Sequence, residues 1–470
     1  MELRYWITNT CIAVALSASM SAWSASDGTL DASFGVNGKR TVDFEPVLGS
    51  LDWLNAVKVT PGGKIYLVGK TTTGNLLTTE GNLAIARLNP DGSVDSTYGS
   101  DGRKVILPPP NSGFLALPAS DMQSDGRLII AIKELSPLMP LMVCRVNADG
   151  SLDQQFGGQP ENPGWRKIYV DTSNVRTFVQ KDNKIIIISD FLDDNSKYRV
   201  VVKRLNPNGT MDANFGSNGV IQIFPNHPYG FRINDITQAP DGNIVLVGRV
   251  KTELPGNDNM FVARLLQADG SPDPGFQGVG YTQIDVGLDG PNQGSDEAKA
   301  VEVLGDGSII VAGQAELEQF TTHFLVVAKL NADGSVANSF GPEADGISVP
   351  TLDVARSIGV DIGIQSDGKI VVATDVLRSG DDAADFAVVR FRPDGHLDLT
   401  FGPGGMSHIP FDLVEGDSAD RPYSLVFSGG QVIIAGPVEA FGQPNNHDFG
   451  VAKLTSDLIF ANSFGQVADD

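Results

Sequence analysis

Short apolar runs separated by Gly, Asp and Asn recur along this chain in a fixed order. The run Ile65-Tyr-Leu-Val68 is apolar at every position, as suits a strand covered on both faces, and it returns at 128–130, 185–188, 244–247, 309–311, 370–372 and 432–434. Ahead of each copy stands a turn pair: Gly62-Gly63, Asp125-Gly126, Asp182-Asn183, Asp241-Gly242, Asp306-Gly307, Asp367-Gly368 and Gly429-Gly430. Such pairs accept the positive φ of a tight hairpin, so a short strand precedes each of them, 56–59 in the first unit. A further apolar strand follows and ends beside a basic residue: Arg87, Arg145, Arg204, Arg264, Lys329, Arg390 and Lys453. An alternating strand completes the pattern, at 39–44, 104–107, 166–170, 220–224, 281–286, 346–349 and 406–411. In chain order within a unit the four strands are a, b, c and d.

The c-d connection is the most regular part, typified by residues 89–102, NPDGSVDSTYGSDG. Its aromatic recurs as Phe34, Tyr98, Phe156, Phe215, Phe276, Phe340, Phe401 and Phe464, with gaps of 64, 58, 59, 61, 64, 61 and 63 residues. A period near 60 with four strands per unit predicts sheets that cannot cover both faces of strand b alone and must be covered by their neighbours. The expected fold is all-β: a seven-bladed β-propeller of four-stranded antiparallel blades. Strands a, b and c occur seven times after the first d strand, so that N-terminal strand is expected to complete the last blade and close the ring. The expected organisation is a signal segment at 1–25 and one propeller domain at 26–470.

Composition adds a compartment. Arg4, an apolar run over about 7–16 and the small residues Ala18, Ala22, Ser24 and Ala25 read as a secretory signal, with the mature chain starting between Trp23 and Ser26. Of the two cysteines, Cys11 lies in that segment and Cys144 in an apolar strand, so no disulfide is expected within the mature chain. The net charge of -23 opposes nucleic acid and anionic lipid as partners. A periplasmic, extracellular or surface setting, no membrane span and a monomer are the expectations.

The order of Asp-Gly-Ser-Leu/Val-Asp, Phe-Gly-x-x-Gly, the Asp-Gly-Lys-Ile-Val-Val-Ala of 367–373 and the Phe-Ala-Val-Val-Arg of 386–390 resembles the delta-60 repeat of bacterial secreted and surface proteins. The resemblance spans the chain beyond the signal and implies a propeller and an extracytoplasmic setting. It brings no catalytic residue with it. Ala337 replaces the second Asp, Gln277 replaces the Gly after Phe276, and a Pro-rich insertion follows Gly157.

Candidate chemistry is sparse. The Asn-x-Asp-Gly-x-x-Asp stretch has the oxygen donors of a Ca²⁺ loop, but the place of its first ligand is held by Arg87, Arg145, Arg264, Lys329 or Arg390. The favoured reading is that the second Asp (Asp95, Asp153, Asp212, Asp273, Asp398) pairs with the strand-c cation while the aromatic packs between blades. No cofactor is expected, with Ca²⁺ the one possible ion. The variable d-a and b-c loops share one face, where a ligand is expected. Asp52, Asn174, Asp296, Asp353 and Asp420 stand five residues before an apolar position of strand a, with Arg176, Lys299 and Arg356 close behind, and are read as a charged collar or as loop caps. The aromatic loop of 224–232, with His227, Tyr229 and Arg232, departs most from the repeat. The five histidines make no metal-ligand spacing, and there is no nucleophile elbow or nucleotide loop. The expected function is a non-enzymatic propeller binding a protein or glycan through its variable face. The alternatives are an enzyme, a lyase or hydrolase at the channel mouth, and a Ca²⁺-stabilised adhesin.

Overall fold

The computed structural model describes residues 27–456 apart from 45–50, 73–80, 110–112, 115–116, 136–139, 159–160, 170–173, 253–256, 288–293, 318–321, 379, 381–382, 414–418 and 441–446. The expected signal segment and Phe464 lie outside the described residues, among which there is no α-helix. The fourth repeat shows the unit: Phe231–Gln238, Ile244–Lys251, Asp258–Leu265 and Tyr281–Ile284 form an antiparallel sheet in that order. The third, fifth and sixth repeats form sheets of the same four-strand order. In the second, strand a is split into Gly113–Phe114 and Ala119–Met122.

The first and seventh repeats share one sheet because a single parallel bridge, Leu51 to His447, joins them. The N-terminal strand Lys39–Val42 pairs antiparallel with the last strand, His447–Leu454, Lys39 opposite Ala452 and Val42 opposite Phe449. Each strand a also packs on that of the next repeat, and Ser424–Ser428 of the seventh packs on Leu51–Val59 of the first. The architecture is that of a β-propeller repeat protein.

Strand b is buried as its composition demands: Ile185, Ile186, Ile187 and Ile188 are at most 2% exposed. Its two faces feed different cores. Ile186 and Ile188 pack with Phe231 and Phe261 of the fourth repeat, whereas Ile185 and Ile187 pack with Ile129 and Val143 of the second. Strand a is longer than the alternation at 56–59 suggests, running over Leu51–Val59, because a register shift between Leu54 and Ala56 interrupts the period. The same bulge falls between Ile233 and Asp235, Ala298 and Ala300, and Gly359 and Asp361. Opposite it, Gly69, Gly248 and Gly313 admit the bulged strand's carbonyl, which a Cβ would strike.

The c-d connections pin each repeat to the next. Arg204 Nε stands 2.8 Å from Asp212 Oδ2 of its own repeat, and its guanidinium lies 4.4 Å over the Phe215 ring. The same guanidinium donates to the Gln267 and Ala268 carbonyls of the fourth repeat. Arg87 with Tyr98, Arg145 with Phe156 and Arg390 with Phe401 repeat this arrangement. The rings of Phe34, Tyr98, Phe156, Phe215, Phe276 and Phe340 lie against Gly92, Gly150, Gly209, Gly270, Gly334 and Gly395 of the following copy, and Phe401 lies against Gly28.

Gly270 has φ +79 and a Cβ there would strike the Phe215 ring, whereas Gly126 has φ +82 with nothing within 4 Å. Gly126→Ala should therefore cost only left-handed backbone strain, about 1–2 kcal/mol. Gly270→Ala should cost about 1–3 kcal/mol more through overpacking, read from the urea midpoints of the two variants. Equal midpoints would remove the ring contact from the account of stability.

Candidate functional site

Two cavities stand out. The first, of about 380 Å³, is a groove lined by Gln222, Phe224, Pro225, Asn226, His227, Pro228, Pro272 and Tyr281. Its wall begins where strand Val220–Ile223 ends and the chain turns through Phe224, an aromatic held at φ 44. Left-handed backbone is costly for a bulky residue, so the surroundings must hold it there. Phe224 meets Tyr281 edge-on at 4.9 Å, with Phe231 and Phe261 each at 5.9 Å. The His227 amide donates to the Phe224 carbonyl, closing the turn at 3.0 Å.

The His227 ring is 5.6 Å from Tyr281 and 5.7 Å from Phe231. The residue is 6% exposed, and its Nδ1 has no hydrogen-bond partner. Burial, and then the charge of Arg199, push its pKa below the ordinary histidine value, so the imidazole is neutral at physiological pH. Arg199 holds the loop from below by donating to the His227 carbonyl at 2.8 Å. Around this anchored core Gln222, Pro225, Asn226 and Pro228 are exposed. The groove thus offers ring faces flanked by two amides, and none of its lining residues carries a carboxylate.

The second cavity, of about 320 Å³, is lined by the ends of three neighbouring strands a: Glu302 to Gly305, Ile362 to Ile364 and Leu425 to Phe427. It lies at the a-b turn end, opposite the variable loops. The inner strands leading to it carry Lys58, Asp121, Arg176, Asp235, Glu302 and Asp361. Lys58 pairs with Asp121 at 3.0 Å. Asp121, Asp235 and Asp361 each accept a main-chain N–H from the next repeat, from Val179 at 2.7 Å, Val301 at 2.9 Å and Leu425 at 2.6 Å. The bulge in strand a immediately precedes Asp235 and Asp361 and aims them. Burial, reinforced by Asp361, pushes Asp235 up to about 7. Burial and the charges of Asp235 and Asp361 bring Glu302 to about 7, and burial brings Asp361 to about 6.

The collar residues are dispersed among different tasks. Asp52, Asp296 and Asp420 are at most 1% exposed and accept the N–H of Phe44, Val286 and Phe411 at 2.7–2.8 Å, tying the end of strand d to the start of strand a. They act as loop caps. Asp353 is not their equivalent: counted back from the a-b turn, that place belongs to the buried Ser357, whose hydroxyl accepts the Leu325 N–H, and Asp353 is exposed. Asn174 donates its own N–H to Asp190, and Arg232 pairs with the same Asp190 at 2.9 Å while covering Tyr198. Arg176 donates to the Asn234 carbonyl, Lys299 pairs with Glu297 at 2.7 Å, and Arg356 pairs with Asp375 at 2.9 Å. Of the sequence candidates, His227 and Tyr229 come together with rings 6.5 Å apart, and Asn174 and Arg232 meet on Asp190. The groove's Gln222, Pro272 and Tyr281 and the inner-strand Asp235, Glu302 and Asp361 had not been singled out. The one sequence signal is at Asp235 and Asp361, which take the place of Ala56, Ala119 and Ala300.

Five segments, 61–98, 180–215, 239–276, 304–340 and 365–401, match the family model described as a domain of unknown function (DUF5122) beta-propeller. No curated protein matches the chain. Among solved structures, the polysaccharide lyase Uly1 aligns at 10% identity over 86% of this chain and 90% of that chain, with a TM-score of 0.49. A protein of unknown function from Dyadobacter fermentans aligns at 12% identity over 89% and 99%, with a TM-score of 0.44. The alpha-L-arabinanase of Penicillium chrysogenum aligns at 10% identity over 72% and 92%, with a TM-score of 0.39. Among the described residues no helix is long and apolar enough to cross a membrane.

Because Asp235, Glu302 and Asp361 have folded pKa values raised to about 6–7, the stability they allow is complete below about pH 4 and is lost as pH rises through 6–7. The melting temperature should therefore be a few degrees higher at pH 5 than at pH 8. Asp235→Asn, which keeps an acceptor for the Val301 N–H, should flatten that slope and raise the melting point at pH 8. An unchanged slope would show that these acids are not the source.

Proposed function

We propose that this chain is an exported, seven-bladed propeller of the delta-60 kind that binds a glycan in the groove formed by Phe224, Asn226, His227 and Tyr281. The carrying observation is the groove's chemistry: ring faces beside exposed amides, with no carboxylate among the lining residues. Sugar rings present C–H faces to aromatics and hydroxyls to amides, whereas glycoside cleavage requires an acid and a base or nucleophile. The signal-like segment supports export. The pairing of Lys39–Val42 with His447–Leu454 and the contact of Phe401 with Gly28 support a ring of seven blades closed by its N-terminal strand.

A second reading, catalysis at the channel mouth, is favoured by one observation. Glu302 lines a cavity of about 320 Å³ with its pKa raised to about 7, a value suited to a general acid. Turnover of a polysaccharide that is lost in Glu302→Gln and kept in Tyr281→Ala would replace the binding reading by this one.

On a glycan array the wild-type chain should retain a defined set of ligands, and Tyr281→Ala should weaken the best of them at least tenfold, about 1.4 kcal/mol. Asp353→Ala, exposed and away from the groove lining, should leave affinity unchanged. Binding indifferent to Tyr281→Ala would sink the assignment. For closure, removing residues 27–44 should turn one cooperative melt into a broad one; a truncated chain that melts like the intact one would open the ring.

A further inference from the structure

Three acids meet at the seam between the two ends of the described chain. Asp43 directly follows the N-terminal strand Lys39–Val42, Asp448 is the second residue of His447–Leu454, and Asp52 is the second residue of Leu51–Val59. One carboxylate oxygen from each lies within 4.8 Å of the others. Asp52 is wholly buried, and although its Oδ2 accepts the Phe44 N–H, its Oδ1 has no hydrogen-bond partner. The buried Thr71 hydroxyl, outside hydrogen-bonding geometry, is near enough to favour the carboxylate. At the corresponding Asp420 both oxygens are used, by the Phe411 and Glu439 amides.

Three oxygens no more than 4.8 Å apart share a point within about 2.8 Å of each, close to the 2.3–2.6 Å of Ca²⁺–O bonds and long for Mg²⁺. The donors are oxygens only, which selects a hard cation. Without a cation the acids repel one another.

We propose that Asp43, Asp52 and Asp448 form a Ca²⁺ site that clamps the N-terminal strand, the last strand and the first repeat together. The clamp rests on the closed-ring reading for its effect on stability and is independent of the glycan groove. It also differs in place and ligands from the c-d connections, where cations already hold the acids.

The test uses the full chain stripped with EDTA and titrated with Ca²⁺ by calorimetry, with melting followed in parallel. Wild type should bind with one site per chain and gain about 3–8 °C at saturation. Asp448→Asn should weaken binding at least tenfold and abolish the gain. In EDTA, the same variant should melt no lower than wild type, because a repelling carboxylate has gone, whereas a merely structural Asp448 would lower the melting point with or without Ca²⁺. Tb³⁺ supplies a readout if Asp448→Asn fails to fold: luminescence sensitised by Trp53, next to Asp52, should appear in wild type, be displaced by Ca²⁺ and disappear in Asp43→Asn. No heat and no luminescence in wild type would overturn the site. Were removal of residues 27–44 to abolish the cooperative melt at the same time, closure would stand without the metal.

Discussion

An aromatic ring seated on a glycine of the next repeat is the contact on which the rest of the molecule depends. Strand b has no wet face, so no repeat is stable by itself, and the neighbour must arrive at one distance and angle. The ring sets that distance. Phe215 lies where a Cβ at residue 270 would be, and the left-handed turn that brings Gly270 to it is one that glycine adopts without strain. Arg204 lies across the ring, is held by Asp212, and donates to the same turn that carries Gly270. Ring, cation, acid and glycine are thus one device, which explains why the chain repeats all four together. The fifth repeat, with Lys329 and Ala337 in place of Arg and Asp, keeps the Phe340 contact with Gly395, so the ring is the part that cannot be spared.

The strand order was legible because every signal for it is local: a turn pair, an apolar run, a basic residue, an aromatic. The pairing of the second Asp with the strand-c Arg was legible for the same reason, eight residues separating Arg87 from Asp95. The bulge in strand a was not. One added residue leaves composition unchanged but shifts register, and it recurs in the strands that begin beside Asp52 and Ser357. His227 and Tyr229 stood out as departures from the repeat. Tyr281 did not, since it occupies an ordinary strand-d position and belongs to the groove only because Phe224, from the preceding repeat, leans over it.

Aspartate serves here in opposite electrostatic settings. In the c-d turns Asp398 meets Arg390 and hydroxyl and amide donors, which outweigh burial and hold its pKa below the usual carboxylate range. Along the inner strands Asp235 and Asp361 accept main-chain N–H groups too, yet burial wins, helped at Asp235 by the charge of Asp361, and the pKa rises. The difference is how deeply the carboxylate is buried against the donors and cations that reach it, not the residue. A net charge of -23 is therefore a poor guide to where the chain is electrostatically poised.

Repetition also tells where a unique activity must lie. A device present in every repeat performs the same task in each, and in the c-d turns that task is to join neighbours. Specific recognition needs a place where one repeat differs from the rest, held by parts that do not. The groove at His227 meets both conditions: its loop has no counterpart among the described residues, while Phe231 and Phe261 beneath it belong to the common core. The Asp52 cluster meets them differently. Only where the chain's two ends pair do a strand d and a strand c come from opposite termini, and the three acids gather at that one junction.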